Sequence, residues 1–136
     1  MPKFLTLLEV LDFHEDLLRS FGGSPGIRDL SLPESAMAIP ESGSDDVFFH
    51  EFPFEMAAAY AFHIVKNHAF EDGNKRTGLA AALVFLEIND YAVMGGEKEL
   101  EIATRQLASG TIDKNIFANV LEKNYKRFRA RTKRGR

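Results

Sequence analysis

His68-Ala69-Phe70-Glu71-Asp72-Gly73-Asn74-Lys75-Arg76-Thr77 sets an imidazole, two carboxylates, a glycine, an amide and two cations side by side. A packed core has no use for that mixture, because charged groups are seldom buried without partners. On both sides the sequence turns apolar. Pro53 suits the first turn of a helix, and Phe54, Ala57, Ala58, Ala61, Ile64 and Val65 then recur at helical spacing as far as Asn67. From about Asn74 a second helix carries Leu79, Ala82, Leu83, Phe85, Leu86 and Ile88, and Asn89-Asp90 signals its stop. The stretch therefore joins two core helices through a polar junction, and the fold is predicted to be mainly α.

Further out the same periodicity holds. Leu7, Leu8, Leu11, Leu17, Leu18 and Phe21 place a helix over 6–21, opened by a capping-box pattern at Thr6-Leu7-Leu8-Glu9 and closed by Gly22-Gly23. Ser24 to Leu30 reads as a turn-rich loop, and Pro33 opens a short helix to about Ala38. The segment 40–46 is dense in Pro, Gly, Ser and Asp and precedes the β-prone Val47-Phe48-Phe49, which predicts a flexible loop or a small hairpin. An exposed hairpin there can hold a protein by strand addition; an ordinary surface connection accounts for it equally well. A short extended piece over 91–94, a Gly95-Gly96 turn, and helices over 97–107 and 112–128 complete the reading.

Composition bounds the possibilities. A chain of 136 residues holds one compact domain, and 45% hydrophobic with 27% charged residues excludes a disordered chain. No apolar run approaches the roughly 20 residues of a spanning helix, and the first residues lack the shape of a signal peptide, so a cytoplasmic protein with no membrane partner is expected. The absence of cysteine excludes disulfides, thiolate nucleophiles and cysteine-based zinc sites. The net charge of −3 conceals an asymmetry: residues 123–136 hold eight of the 17 basic side chains and no acid, which leaves the rest at −11. We therefore divide the chain into a domain over 1–125 and a basic, flexible tail over 126–136. Such a tail can contact nucleic acid or an acidic partner through sequence-blind attraction, or be a solvated, frayed end.

The chemistry lies in the junction. Between a helix end and a helix start, backbone N–H groups are unpaired and the helix dipole favours an anion, and Gly73 lets a phosphate come close to the main chain. Arg76 can fork onto phosphate oxygens, Lys75 adds a point charge, and Asn74 can donate from its amide. Asp72 offers the hard oxygen that Mg²⁺ prefers when it bridges a carboxylate and nucleotide phosphates. The imidazole of His68 can take a proton from an attacking hydroxyl near neutral pH, making it the candidate general base. Each group alone has a plain structural role; together they make a phosphate site beside a base. The pattern is neither a P-loop nor a G-x-G-x-x-G motif. His63 lies about 140° from His68 on a helix and cannot pair with it at one face; His63 and His50 are read as structural or surface residues, and His14 has no partner identifiable from the sequence.

H-A-F-E-D-G-N-K-R-T closely resembles the Fic signature H-x-F-x-[DE]-G-N-x-R, and Lys75 before Arg76 resembles the Doc (death-on-curing) branch. The resemblance extends to Phe21-Gly22-Gly23-Ser24-Pro25-Gly26-Ile27-Arg28-Asp29 and to Leu83-Val84-Phe85-Leu86-Glu87-Ile88-Asn89, and covers about residues 5–125. Ala69 replaces the usual proline, as other Doc-like sequences also allow. The resemblance implies a Fic fold, a helical bundle with a small β-hairpin flap. It implies His68 as base and Arg76 as a catalytic residue, and Phe70 as the loop's anchor in the core. It further implies Asp72 as the Mg²⁺ ligand and Gly73, Asn74, Lys75 and Arg76 as the residues that grip the phosphates of ATP.

It further implies the function of a toxin that acts as a protein kinase, moving the γ-phosphate of ATP to a Ser/Thr hydroxyl. Elongation factor Tu is the expected target and arrest of translation the outcome. Transfer of AMP is the alternative within the same fold, and members of that kind carry Gly where this chain has Lys75. A non-catalytic binding module is the alternative outside it. No [ST]-x-x-x-E-[GN] inhibitory motif occurs, so restraint is expected from a small antitoxin that lays a helix into a groove.

Overall fold

In the computed structural model the described residues are 1–27 and 29–134, the last three by their backbone alone. Arg28 of the expected family likeness, and Gly135 and Arg136 of the expected tail, lie outside the described residues. Six helices and one hairpin follow in the order α1 (Leu7–Phe21), α2 (Ser31–Ala38), β1 (Gly43–Ser44), β2 (Val47–Phe48), α3 (Phe54–Asn67), α4 (Asn74–Ile88), α5 (Glu97–Ser109) and α6 (Lys114–Arg134).

The first helix starts where local chemistry says it should. Thr6 Oγ1 accepts from the Glu9 N–H while the Glu9 carboxylate accepts from the Thr6 N–H, so both halves of the capping box are made. In the segment 40–46 the hairpin forms, with Gly43 opposite Phe48 and Ser44 opposite Val47. Its two turn residues, Asp45 and Asp46, sit at φ 50° and 66°, the left-handed pair of a type I′ turn that aspartate tolerates. Tyr91–Met94 pairs with no strand among the described residues.

Helix α3 is the centre of the bundle and packs on α2, α4, α5 and α6, while α1 lies across α4 and α2. Ala57, Ala58 and Ala61 on α3, with Ala81 and Ala82 on α4, are fully buried. Their small side chains let the two backbones approach closely, and Gly78 is the extreme case: a Cβ there would stand 3.0 Å from the Ala61 carbonyl oxygen. Phe85, Tyr60, Ile64, Phe117 and Leu121 fill the rest of the core. Tyr60 is buried with its hydroxyl accepting from the Leu5 N–H at 3.0 Å, and burial pushes its pKa up to about 12. This packing holds the C-terminal end of α3 beside the N-terminal end of α4.

Helix α6 begins two residues later than expected, because the Asp113 carboxylate accepts from the Ile116 N–H and ends the preceding turn. It then runs unbroken to Arg134, past the boundary at 126 expected between domain and tail. Lys123 and Arg127 reach Glu99 of α5 and Lys126 pairs with Glu122, so part of the basic run is engaged within the fold. Among the described residues no helix is long and apolar enough to cross a membrane.

Candidate active site

Helix α3 ends on His68, whose backbone takes the left-handed conformation (φ 48°, ψ 54°) that a histidine adopts more readily than most non-glycine residues. Its N–H returns to the carbonyls of Ile64 and Val65, and the Ala69 N–H to Ile64, so the helix end closes on itself and turns the exposed imidazole outward. The chain then dives. Ala69 and Phe70 are buried, Phe70 at 1% exposure, and Glu71 and Asp72 return to the surface. Gly73, at φ 79°, makes the left-handed turn into α4.

Asn74, the first residue of α4, uses its side chain on the loop and not on the solvent. Its Oδ1 accepts from the Phe70 N–H at 2.9 Å and its Nδ2 donates to the Phe70 carbonyl at 2.8 Å. This differs from the phosphate-donating amide expected from the sequence. The physical reason is that a buried turn has backbone groups to satisfy and the amide is the nearest group with both a donor and an acceptor. What Asn74 offers an anion is its backbone N–H. No side chain caps the start of α4, so the N–H groups of its first turn are left without intrahelical partners and face the positive end of the dipole.

The loop over 22–27 braces the junction from outside. The Glu71 N–H donates to the Gly26 carbonyl at 2.9 Å, and Ile27 forms an isolated antiparallel bridge to Phe70. Ser24 donates its backbone N–H to Asp72 Oδ2 at 3.0 Å and its hydroxyl to Glu71. Among the described residues nothing engages Asp72 Oδ1. Nor do three or more imidazoles and carboxylates converge anywhere among them. The donor set therefore fits Mg²⁺ held by a single carboxylate oxygen and completed by phosphate oxygens and water, and suits no all-protein metal cage.

Helix α1 contributes residues that the sequence left unassigned. His14, 4% exposed, places Nε2 at 2.8 Å from the Asp72 carbonyl and stacks on the Phe70 ring at 3.7 Å between centroids and 10° between planes. About two turns further along α1, Phe21 lies under the Arg76 guanidinium, 4.2 Å from Cζ to ring centroid. One signal for His14 was present: Val10, His14, Leu17 and Leu18 share the inward face of α1, so a polar residue there has to meet a partner inside the protein.

These elements enclose a cleft of about 770 Å³ between α1, α4 and α5. His68, Glu71, Asp72, Gly73, Asn74, Lys75 and Arg76 line its floor, and Leu17, Leu79 and Leu83 line an apolar wall. Every residue singled out for chemistry in the junction except Phe70, which lies beneath it, reaches this one cleft. The other histidines do not. His50 and His63 turn their Nε2 atoms to Lys114 Nζ at 3.1 and 3.2 Å, in a separate cluster at the start of α6. Burial first, and the Lys114 charge second, lower both imidazole pKa values, that of His63 to about 4.

Comparison with known proteins agrees with this geometry. The family model described as Fic/DOC family matches residues 4–86. A protein named Toxin Doc from Mycolicibacterium smegmatis is 38% identical over 110 residues, covering 73% of this chain and 84% of its own. Protein kinase doc of Escherichia phage P1 is 34% identical over 119 residues, covering 86% of this chain and 91% of its own. Helical bundle, hairpin and junction together with these matches establish that the chain belongs to the Fic/DOC family.

Proposed function

We propose that this chain is the toxin of a toxin–antitoxin pair and that it phosphorylates a protein hydroxyl, with ATP as donor and elongation factor Tu as the expected acceptor. One observation carries the reading: an exposed imidazole, a carboxylate, a guanidinium and an uncapped helix N-terminus line the same cleft. The names of the two relatives, one a toxin and one a protein kinase, support it.

In this reading the α4 N–H groups, Lys75 and Arg76 hold the phosphates of ATP. His68 Nδ1 or Nε2 takes the proton from a Ser or Thr hydroxyl as its oxygen bonds to the γ-phosphorus. The bond from that phosphorus to the bridging oxygen breaks, ADP leaves, and His68 passes its proton to water. Mg²⁺ on Asp72 would supply charge neutralisation at the phosphates. Lys75 is the residue that favours γ-phosphate transfer over AMP transfer within the family resemblance. The apolar wall of Leu17, Leu79 and Leu83 suits the amphipathic helix of an antitoxin laid along the cleft, which would block ATP.

The test is the intact mass of purified elongation factor Tu after incubation with the protein, ATP and Mg²⁺, beside a His68→Ala control. The expected result is a His68-dependent gain of one phosphoryl group. A gain of one AMP would replace the kinase reading with adenylyl transfer. An unchanged mass, with toxicity that survives His68→Ala and is lost on removing 123–136, would favour a binding module that uses its basic helix.

A further inference from the structure

We infer that His14 is a positioning residue for the reaction loop, a role that rests on the proposed phosphate-transfer reading but has its own structural consequence. Three contacts carry it. Its ring lies flat on Phe70, its Nε2 is 2.8 Å from the Asp72 carbonyl, and it packs under Gly73, where an added Cβ would meet its Cδ2 at 3.6 Å. One side chain thus touches the buried, the metal-binding and the helix-starting parts of the loop.

The chemistry of the contact fixes its direction. A carbonyl oxygen accepts and cannot donate, so Nε2 carries the hydrogen and the bond pins the peptide that follows the Asp72 side chain. The Asp72 carboxylate is held separately by the Ser24 N–H at 3.0 Å. With both ends of the residue tied, Oδ1 keeps one position relative to the N–H groups of α4. Phe70 sets the depth of the loop, the Asn74 amide and the Gly26 carbonyl tie the backbone on either side of it, and His14 adds the tie at the Asp72 carbonyl. Supporting groups of this kind typically change activity by about 10–100-fold when removed, because the reacting groups lose their alignment.

Two variants separate the donor from the stack. His14→Phe keeps an aromatic face against Phe70 and leaves the Asp72 carbonyl without its donor, whereas His14→Gln keeps a donor and gives up the stack. With the full chain, three quantities are measured: amide hydrogen exchange over 69–77, Mg·ATP affinity by calorimetry, and kcat and KM in the transfer assay. The expected result for His14→Phe is faster exchange confined to the loop and a kcat lower by about 10–100-fold, with KM for the acceptor protein unchanged. His14→Gln should recover most of both.

Wild-type exchange and kcat in His14→Phe would overturn the inference. So would equal losses in both variants that track a lowered melting temperature, since His14 would then be a packing residue alone. Should His14→Phe fail to fold, the exchange pattern of His14→Gln decides: a loop as protected as the wild type supports the inference, and a loosened one overturns it. A wild-type protein that neither binds ATP nor transfers would sink the functional reading, while the exchange comparison would still decide the role of His14.

Discussion

Asn74 and Phe70 form a closed ring of two hydrogen bonds, with the Phe70 N–H given to Oδ1 at 2.9 Å and the Phe70 carbonyl taken by Nδ2 at 2.8 Å. The amide orientation is dictated by its partners, since a backbone N–H only donates and a carbonyl only accepts. Asn74→Ala leaves both Phe70 groups unpaired in a buried turn and should lower stability by about 1–3 kcal/mol. Asn74→Asp keeps the acceptor but sets a carboxylate against the Phe70 carbonyl, so it should cost at least as much despite its similar shape. Denaturant unfolding of the two variants checks the order; an Asp variant as stable as the wild type would remove the ring from the account.

The arginine of the junction depends on a different residue. The Arg76 Cζ lies over the ring of Phe21, 4.2 Å from its centroid, and Phe21 is itself 60% exposed, so the contact lies at the surface and outside the core. Stacking occupies the face of the guanidinium and leaves the in-plane N–H groups free to fork onto phosphate. Phe21→Leu should therefore leave the melting temperature almost unchanged and raise KM for ATP by about 2–5-fold, the equivalent of an exposed cation–π contact of about 0.5–1 kcal/mol. Steady-state kinetics of the transfer reaction test it, and an unaltered KM would show that Arg76 finds its place without the ring.

What the sequence disclosed and what it hid divide by range of interaction. The capping box of Thr6 and Glu9, the apolar periodicity of α3 and α4, and the His68–Thr77 motif are contained in a few consecutive turns, and all could be read from the chain. The partner of His14 lies 58 positions away and that of Lys114 51 and 64 positions away, so only the packing of α1 on α4 and of α6 on α3 brings them together. Asn74 is a different case. It was found, but a sequence does not say whether an amide turns outward to a ligand or inward to an unsatisfied loop. The length of α6 was missed because its last turns carry charge in place of an apolar stripe, and their local support comes from pairs such as Lys126 with Glu122 at 2.9 Å.

The close approach of α3 and α4 also makes a quantitative claim. A side chain at Gly78 would meet the Ala61 carbonyl oxygen at 3.0 Å and Val65 Cγ2 at 3.1 Å. The first is helix backbone and cannot rotate away. Gly78→Val should cost about 1–3 kcal/mol through overpacking, and it should also part the helix ends that carry His68 and Arg76. Activity at a temperature where the variant is fully folded should then fall further than stability predicts. Full activity in a folded Gly78→Val protein would mean that the junction tolerates the spread.

The cluster of His50, His63 and Lys114 predicts an acid weakness remote from the cleft. Burial, followed by the Lys114 and His50 charges, holds the His63 pKa at about 4 against an ordinary 6.5. Between those values the unfolded chain binds a proton that the folded chain refuses, so stability falls as pH drops from 6.5 towards 4 and is insensitive to this group above that window. His63 is half-buried, and water screens part of the effect, which reduces the expected loss to roughly 1–2 kcal/mol. Glu99, whose carboxyl is held low by its bonds to Lys123 and Asn124, adds its own loss only at more acid pH. His63→Gln presents a neutral acceptor to Lys114 and cannot titrate, so its unfolding free energy should lose most of this slope and keep only the part that comes from His50, whose pKa is also lowered by burial and by Lys114. Urea unfolding of the wild type and this variant at several pH values separates the two groups. An equal slope in both proteins would assign the acid weakness to residues other than His63.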